Sequence, residues 1–231
     1  MAKFLIVIIC IFCFACKSDK SNETPVESVI QLETKIEEPL EIIKERFPAP
    51  EGWVELTNST PGFVTDIRYA TTQNFVESVM YPCGKCFLRT RTAEALQQVA
   101  SELQKKNLGI KLFDCYRPGP VQQKLWDKVP NASYVTPPWK GSQHNRGAAV
   151  DLTIVDQNGQ QLDMGTAFDF FGEEAHHTYT KHTAIIHDNR TLLKTLMEHF
   201  GFSSIRTEWW HYSIKDMQSL EVSQWEWTCE D

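Results

Sequence analysis

No cluster of basic side chains occurs anywhere in this sequence, whose 23 Lys and Arg are outnumbered by 30 Asp and Glu for a net charge of -7. Phosphate binding needs such clusters, so a nucleic-acid partner is excluded. A Gly-rich phosphate loop and an internal repeat are also missing. The continuous apolar run Phe4–Ala15 falls short of the roughly 20 residues that a membrane helix requires. What remains is a chain of 231 residues, 42% of them hydrophobic. Such a chain is globular, with one principal domain, some attachments and a small polar substrate as the expected partner.

The N-terminus carries an address. Lys3 ahead of Phe4–Ala15 has the form of a secretory signal. The run stops at Ala15-Cys16 and the chain turns polar with Lys17-Ser18-Asp19-Lys20. A small residue directly before Cys at that point resembles a bacterial lipoprotein signal, with Cys16 as the lipidated first residue. An ordinary cleaved signal and an uncleaved short anchor are the alternatives, and all three export the chain. The expected organisation is a signal over 1–16, a polar acidic tether over 17–50 and a folded domain over 51–231. The expected location is the periplasm or cell envelope, with membrane contact through the N-terminal lipid alone.

Export leaves Cys83, Cys86, Cys115 and Cys229 in an oxidising compartment, where an even number points to disulfides with three pairings open. A thiolate zinc site starting at Cys83-Gly84-Lys85-Cys86 is disfavoured, because no second close pair follows. A thioredoxin-like role is disfavoured too, since Tyr81-Pro82 reads as a turn.

Along the body, Phe63–Tyr69 alternates as a strand would. Thr92 is expected to cap a helix whose Leu96, Val99, Ala100 and Leu103 recur at helical spacing, ended by Leu108-Gly109. Ile110–Asp114 reads as a strand, Pro120–Lys128 as a short helix with Pro in its first turn, and Asn131–Gly141 as a loop. Ala148–Val155 is a largely apolar strand closed by the turn Asp156–Gly159, Arg190–Phe200 a helix, and Glu208–Ile214 a β-prone segment. The irregular alternation predicts a single α+β domain with a central antiparallel sheet flanked by helices.

Two stretches carry the chemistry, Ser142-Gln-His144-Asn-Arg-Gly147-Ala-Ala-Val-Asp151 and Glu208-Trp-Trp-His211. A hydrolytic zinc takes three protein ligands and leaves a position open for water. His144, Asp151 and His211 can supply the ligands, and Glu208 is left over as a base. A carboxylate between Val150 and Leu152 is costly to bury without a cation, although pairing with Arg146 would also answer that need. Gly147 and Ala148 are expected to keep the space between the ligands small. Glu208 and His211, three apart, fall on opposite faces of a regular strand. Either the strand bulges or only one of them reaches the metal. Taken alone they read as an exposed Glu and a core His. Arg117, held by Pro118, suits the charge developing on an attacked carbonyl, with a surface pair to Asp114 as the plain alternative. His176, His177 and His182 form a rival ligand set but read as an ordered loop.

Together with Arg68-Tyr69-Ala-Thr, Asn74-Phe75, Asp114-Cys-Tyr116-Arg117-Pro118, Met164-Gly165-Thr-Ala-Phe168-Asp169-Phe170, His176-His177 and Tyr212, these stretches resemble the VanX-type D-alanyl-D-alanine dipeptidases. The resemblance covers about Val64 to Met217 and implies the Hedgehog/D,D-peptidase-like fold. It implies one zinc per chain on His144, Asp151 and His211, with Glu208 as catalytic acid/base and Arg117 stabilising the transition state. Ser142 and Tyr69 would lie near the bound D,D-dipeptide, and Asp169 in a supporting position. Two departures stand out: Cys115 where a Gly is usual, open to a disulfide, and Gln143 where a second Ser is usual, open to altered substrate fit. The implied role is hydrolysis of free D-Ala-D-Ala by activated water, for wall turnover or scavenging. The rivals are a zinc D,D-carboxypeptidase acting on longer wall peptides and a non-catalytic Hedgehog-like binding module.

Overall fold

A computed structural model of the chain describes residues 49–229. The expected signal, Cys16 and nearly all of the 17–50 tether lie outside the described residues. From Trp53 onward the chain forms β1 (Trp53–Leu56), β2 (Phe63–Thr65), β3 (Cys86–Arg89), α1 (Thr90–Gln104), β4 (Leu108–Asp114), α2 (Gly119–Lys128), β5 (Ala149–Asp156), α3 (Ala184–His199), β6 (Phe202–Ile205) and β7 (Glu208–Ile214). The larger sheet runs in the order β2-β4-β5-β7-β6, and β1 pairs with β3 in a separate ribbon. The α+β architecture is as expected. The sheet is antiparallel except at one edge, where β2 lies parallel to β4.

Position in that order accounts for composition. β5 sits at the centre between β4 and β7, and every residue from Ala149 to Val155 is buried. A strand covered on both faces reads as a continuous apolar run. Helices α1 and α3 touch each other and lie against β4 and β6 respectively. The face α1 buries is the one its spacing announces, with Leu96, Val99, Ala100 and Leu103 completely covered. Each large side chain so buried contributes about 1.5–3 kcal/mol.

Four boundaries differ from expectation, each for a physical reason. The Phe63–Tyr69 strand stops at Thr65, because parallel pairing with β4 lasts only from Phe63 to Thr65. The chain then closes into a 3-10 turn over Arg68–Ala70 that buries Tyr69. Thr92 is not a cap: the helix starts two residues earlier, and the buried Thr92 hydroxyl donates to the Gly147 carbonyl at 3.0 Å. Leu108-Gly109 belongs to β4 rather than to a helix end, since Ile110 N–H donates to the Gly62 carbonyl and Gly109 lies where a Cβ would press on that same oxygen. Helix α3 begins at Ala184 rather than Arg190, because between Ala184 and Asn189 only Ile186 is buried, which is too little apolar pattern to announce the first turns.

Two disulfides resolve the three open pairings: Cys86–Cys115 ties β3 to the end of β4, and Cys83–Cys229 ties the turn before β3 to the C-terminal segment. That segment lays Trp225 and Trp227 against Phe87 and Tyr116.

Candidate active site

The central strands end in a row of polar side chains. Asp114 on β4 lies opposite Asp151 on β5, which lies opposite His211 on β7. Between Leu112 and Asp114 the β4–β5 register shifts, the kind of bulge that re-aims side chains beside active sites. His144 enters from the 3-10 turn His144–Arg146, which precedes β5. The Ser142 hydroxyl accepts the His144 N–H at 3.2 Å, and Asn145 holds Ser142 N–H and the Arg117 carbonyl.

These elements bring three ligand-type atoms together. His144 Nε2 lies 3.1 Å from His211 Nδ1 and 3.4 Å from Asp151 Oδ1, and His211 Nδ1 lies 2.9 Å from the same oxygen. The His144 Nδ1 atom is 2.7 Å from the Cys115 carbonyl oxygen. A carbonyl only accepts, so Nδ1 carries the proton and Nε2 turns a lone pair toward the cluster. Burial alone would raise the Asp151 carboxyl, but the two imidazoles outweigh it and hold the carboxyl well below the usual range. His144 is pulled two ways: burial lowers it and Asp151, the stronger influence in sum with Asp114, leaves it raised.

Arg117 is buried rather than a surface residue. Its Nε and Nη2 donate to Asp114 Oδ2 at 3.0 and 2.6 Å, and Nη1 donates to Gln122 Oε1 at 3.0 Å. The other Asp114 oxygen accepts from the Tyr81 hydroxyl at 2.6 Å. The pairing with Asp114 therefore holds in a buried setting, where burial works against the guanidinium charge and Asp114 more than restores it. Arg117 lies over the Tyr69 ring with Cζ 5.0 Å from the centroid, and the Tyr69 hydroxyl donates to Asp169 at 3.2 Å. Asp169 takes a left-handed φ of 59°, uncommon for a non-glycine residue. Its carboxyl is pushed well up by burial and then by Asp151.

The β6–β7 hairpin departs from regular alternation, as the bulged-strand reading of Glu208 and His211 requires. Ser204 pairs with Tyr212 but Ile205 pairs with Glu208, so β7 is irregular between them. Trp209 and Trp210 are accordingly both buried, which strict alternation against a one-sided core would not give. The Glu208 carboxyl lies where His211, Asp151 and Arg117 act on it; burial dominates and pushes it up to about 7. A cavity of about 360 Å³ opens beside Glu208. One wall is Tyr134 stacked on Phe171 at 4.4 Å, and another is Arg206 bonded to His176 Nδ1 at 3.0 Å.

Among the described residues, His144, Asp151 and His211 form the group whose ligand atoms lie within 4.8 Å of one another. The rival set does not assemble: His176 bonds Arg206, while the His182 Nε2 meets the Glu174 carbonyl at 2.8 Å. His177 is held down at about 4 by burial, with Lys194 and Arg190 adding to it. Arg146 does not pair with Asp151 and instead donates to the Ser142 carbonyl. Gly147 serves a different purpose from the expected one: a Cβ there would strike the Trp53 ring, and its φ is 66°. Tyr81, Gln122 and Asn145 were not legible as site residues, because what marks them is a buried hydrogen bond across the fold and no local pattern. Arg190 is of the same kind. It staples the loop that carries Asp169 and Phe171 by donating to the carbonyls of Met164, Glu174 and His176.

Comparison with known proteins places this arrangement among peptidases. The family described as D-Ala-D-Ala dipeptidase, peptidase M15, matches residues 50–226, and the chain belongs to it. A D-alanyl-D-alanine dipeptidase of Escherichia coli K12 is 32% identical over 176 residues, 76% of this chain and 91% of that protein. One from Enterococcus faecalis V583 is 30% identical over 186 residues, 71% of this chain and 92% of that protein. A solved zinc-bound D,D-pentapeptidase, VanY E175A, aligns at 16% identity with a TM-score of 0.38, covering 56% of this chain and 73% of its own.

Proposed function

We propose that this protein hydrolyses free D-alanyl-D-alanine at a zinc ion held by His144, Asp151 and His211. The observation that carries the proposal is the spacing of the three ligand atoms. Donors each about 2.0–2.1 Å from zinc in tetrahedral directions stand about 3.3 Å apart, and here the three separations run from 2.9 to 3.4 Å. Two imidazole nitrogens and a carboxylate facing one another at that distance are a donor set that a dication satisfies. The Cys115 carbonyl provides the outer hydrogen bond that metal-ligating histidines make. Zinc, when bound, supplies Lewis acidity that makes a water molecule easier to deprotonate near neutral pH.

The chain's own residues account for the rest. Glu208, beside the ligands and poised near neutrality, takes the proton from the attacking water and passes it to the leaving amine nitrogen. Arg117 faces the negative charge that grows on the carbonyl oxygen; Asp114 and Gln122 fix its plane, so little reorganisation accompanies the reaction. Ser142, next to His144 in the turn, and Tyr69, under Arg117, are the residues assigned to the bound dipeptide. A binding module would need neither Glu208 nor Arg117. Tyr134 from the 131–141 loop meeting Phe171 from the 163–182 loop supports a closed site of dipeptide size. The two disulfides support an oxidising location, and with it export through the N-terminal signal and anchoring at Cys16 for wall turnover or scavenging. Hydrolysis of D-Ala-D-Ala is to be compared with that of a wall pentapeptide; cleavage of the pentapeptide alone would replace the dipeptidase reading by a D,D-carboxypeptidase one.

A further inference from the structure

We infer that the Cys86–Cys115 disulfide positions the active site by clamping the peptide unit between Cys115 and Tyr116, which orients both His144 and the Asp114–Arg117 pair. The inference rests on His144 being a metal ligand, as proposed above.

One peptide unit carries the argument. Its N–H end, on Tyr116, donates to the Phe87 carbonyl of β3 at 2.9 Å. Its C=O end, on Cys115, accepts the His144 Nδ1 proton at 2.7 Å. The two ends of a trans peptide point in opposite directions, so the unit bridges β3 on one side and the imidazole on the other. The disulfide fastens the same bridge covalently, joining Cys115 to Cys86, the neighbour of Phe87, with Cα atoms 5.2 Å apart. This segment needs fastening because it leaves the sheet: β4 pairs regularly with β5 only as far as Leu112, shifts register, and ends at Asp114. Asp114 directly precedes Cys115 and grips Arg117 through Oδ2. The Arg117 N–H in turn donates to the His144 carbonyl at 3.1 Å. A rotation of the 115–116 peptide would thus release the His144 tautomer and move Arg117 together.

The second disulfide supplies the control. Cys83–Cys229 closes a sequence separation of 146, against 29 for Cys86–Cys115. In the chain-entropy account the longer closure contributes more stability, yet it holds none of the peptide unit. If function merely followed stability, removing Cys83–Cys229 would do the greater harm.

The test compares Cys86→Ala/Cys115→Ala with Cys83→Ala/Cys229→Ala in three measurements: thermal midpoint, zinc affinity by competition with a chromogenic chelator, and D-Ala-D-Ala kinetics. Loss of an outer-shell partner of a metal ligand lowers affinity by about 10- to 100-fold. That loss is expected for the first variant, with kcat falling more than KM, while the second keeps zinc affinity within about twofold whatever its midpoint. Should the first variant not fold, the Cys83→Ala/Cys229→Ala protein is reduced with a water-soluble phosphine. The phosphine takes up oxygen from water to become its oxide, and the remaining Cys86–Cys115 bond opens to two thiols. Zinc affinity unchanged by loss of Cys86–Cys115, or lowered equally by loss of either disulfide, overturns the positioning role. A wild-type chain that binds zinc but cleaves no dipeptide would refute the proposed function and leave the affinity comparison decisive for the disulfide.

Discussion

Replacing Glu208 by Gln should stabilise the metal-free protein at pH 8 and do so much less at pH 5. In the folded chain the Glu208 carboxyl is pushed up to about 7 from an ordinary 4.5, chiefly by burial and secondly by the neighbouring Asp151 charge, with His211 and Arg117 pulling the other way. The sign follows from proton binding. Between pH 4.5 and 7 the folded state holds this proton and the unfolded state has released it, so stability declines as pH rises through that window and the full penalty is present above it. At roughly 1.4 kcal/mol per tenfold change in binding, the penalty reaches about 2–3 kcal/mol, allowing for partial exposure of the side chain. Gln bears no charge at any pH and removes it. The other ionisable groups are common to both proteins and largely cancel in the difference. Urea unfolding of chelator-treated protein, followed by tryptophan fluorescence with disulfides intact, measures the effect. The variant should gain about 2–3 kcal/mol at pH 8 and about 0.8 kcal/mol at pH 5. Equal increments at both pH values would refute the assignment of a buried, raised carboxyl. The same substitution should retain zinc and lower kcat by about 10²- to 10⁴-fold, the usual worth of a general base.

Other outcomes follow from the same geometry. Changing His144, Asp151 or His211 to Ala should abolish stoichiometric zinc binding, read by metal analysis after dialysis, whereas Arg146→Ala should not. Tyr81→Phe removes a hydrogen bond to a fully buried carboxylate and should cost about 1.5–3 kcal/mol in urea unfolding. Gly147→Ala should destabilise by more than about 1 kcal/mol, since it adds backbone strain at positive φ to a clash with Trp53. A gain in stability there would show that Trp53 moves freely. Arg190→Leu should remove three hydrogen bonds to loop carbonyls and increase proteolytic cutting between Met164 and Tyr179 under native conditions.

Elements whose cause is local were legible in the sequence. The α1 stripe, the buried β5 run with its closing turn at Asp156–Gly159, and the Pro-started α2 each follow from side-chain periodicity or backbone preference within a few residues. So was the donor set, because two imidazoles, a carboxylate in an apolar strand and a spare Glu are unusual enough to announce a metal. The failures share one feature. Thr92 looked like a cap because it stands ahead of the α1 stripe, but its hydroxyl finds its partner across the fold at Gly147. Gly147 was expected to keep the two ligands close, and its missing side chain instead makes room for the Trp53 ring.

The amino-acid sequence by itself determined which chemical groups are available, which segments bury an apolar face, and membership of the dipeptidase family. Tertiary structure alone decided how those groups meet. Two register shifts in the sheet, at Phe113 and between Glu208 and Tyr212, accompany the alignment of Asp114, Asp151 and His211 across neighbouring strands with Glu208 close by. Disulfide partners were open for the same reason: pairing depends on which Cα atoms approach within bridging distance. That distance is set by the packing of β3 against the end of β4, and spacing along the chain carries no record of it.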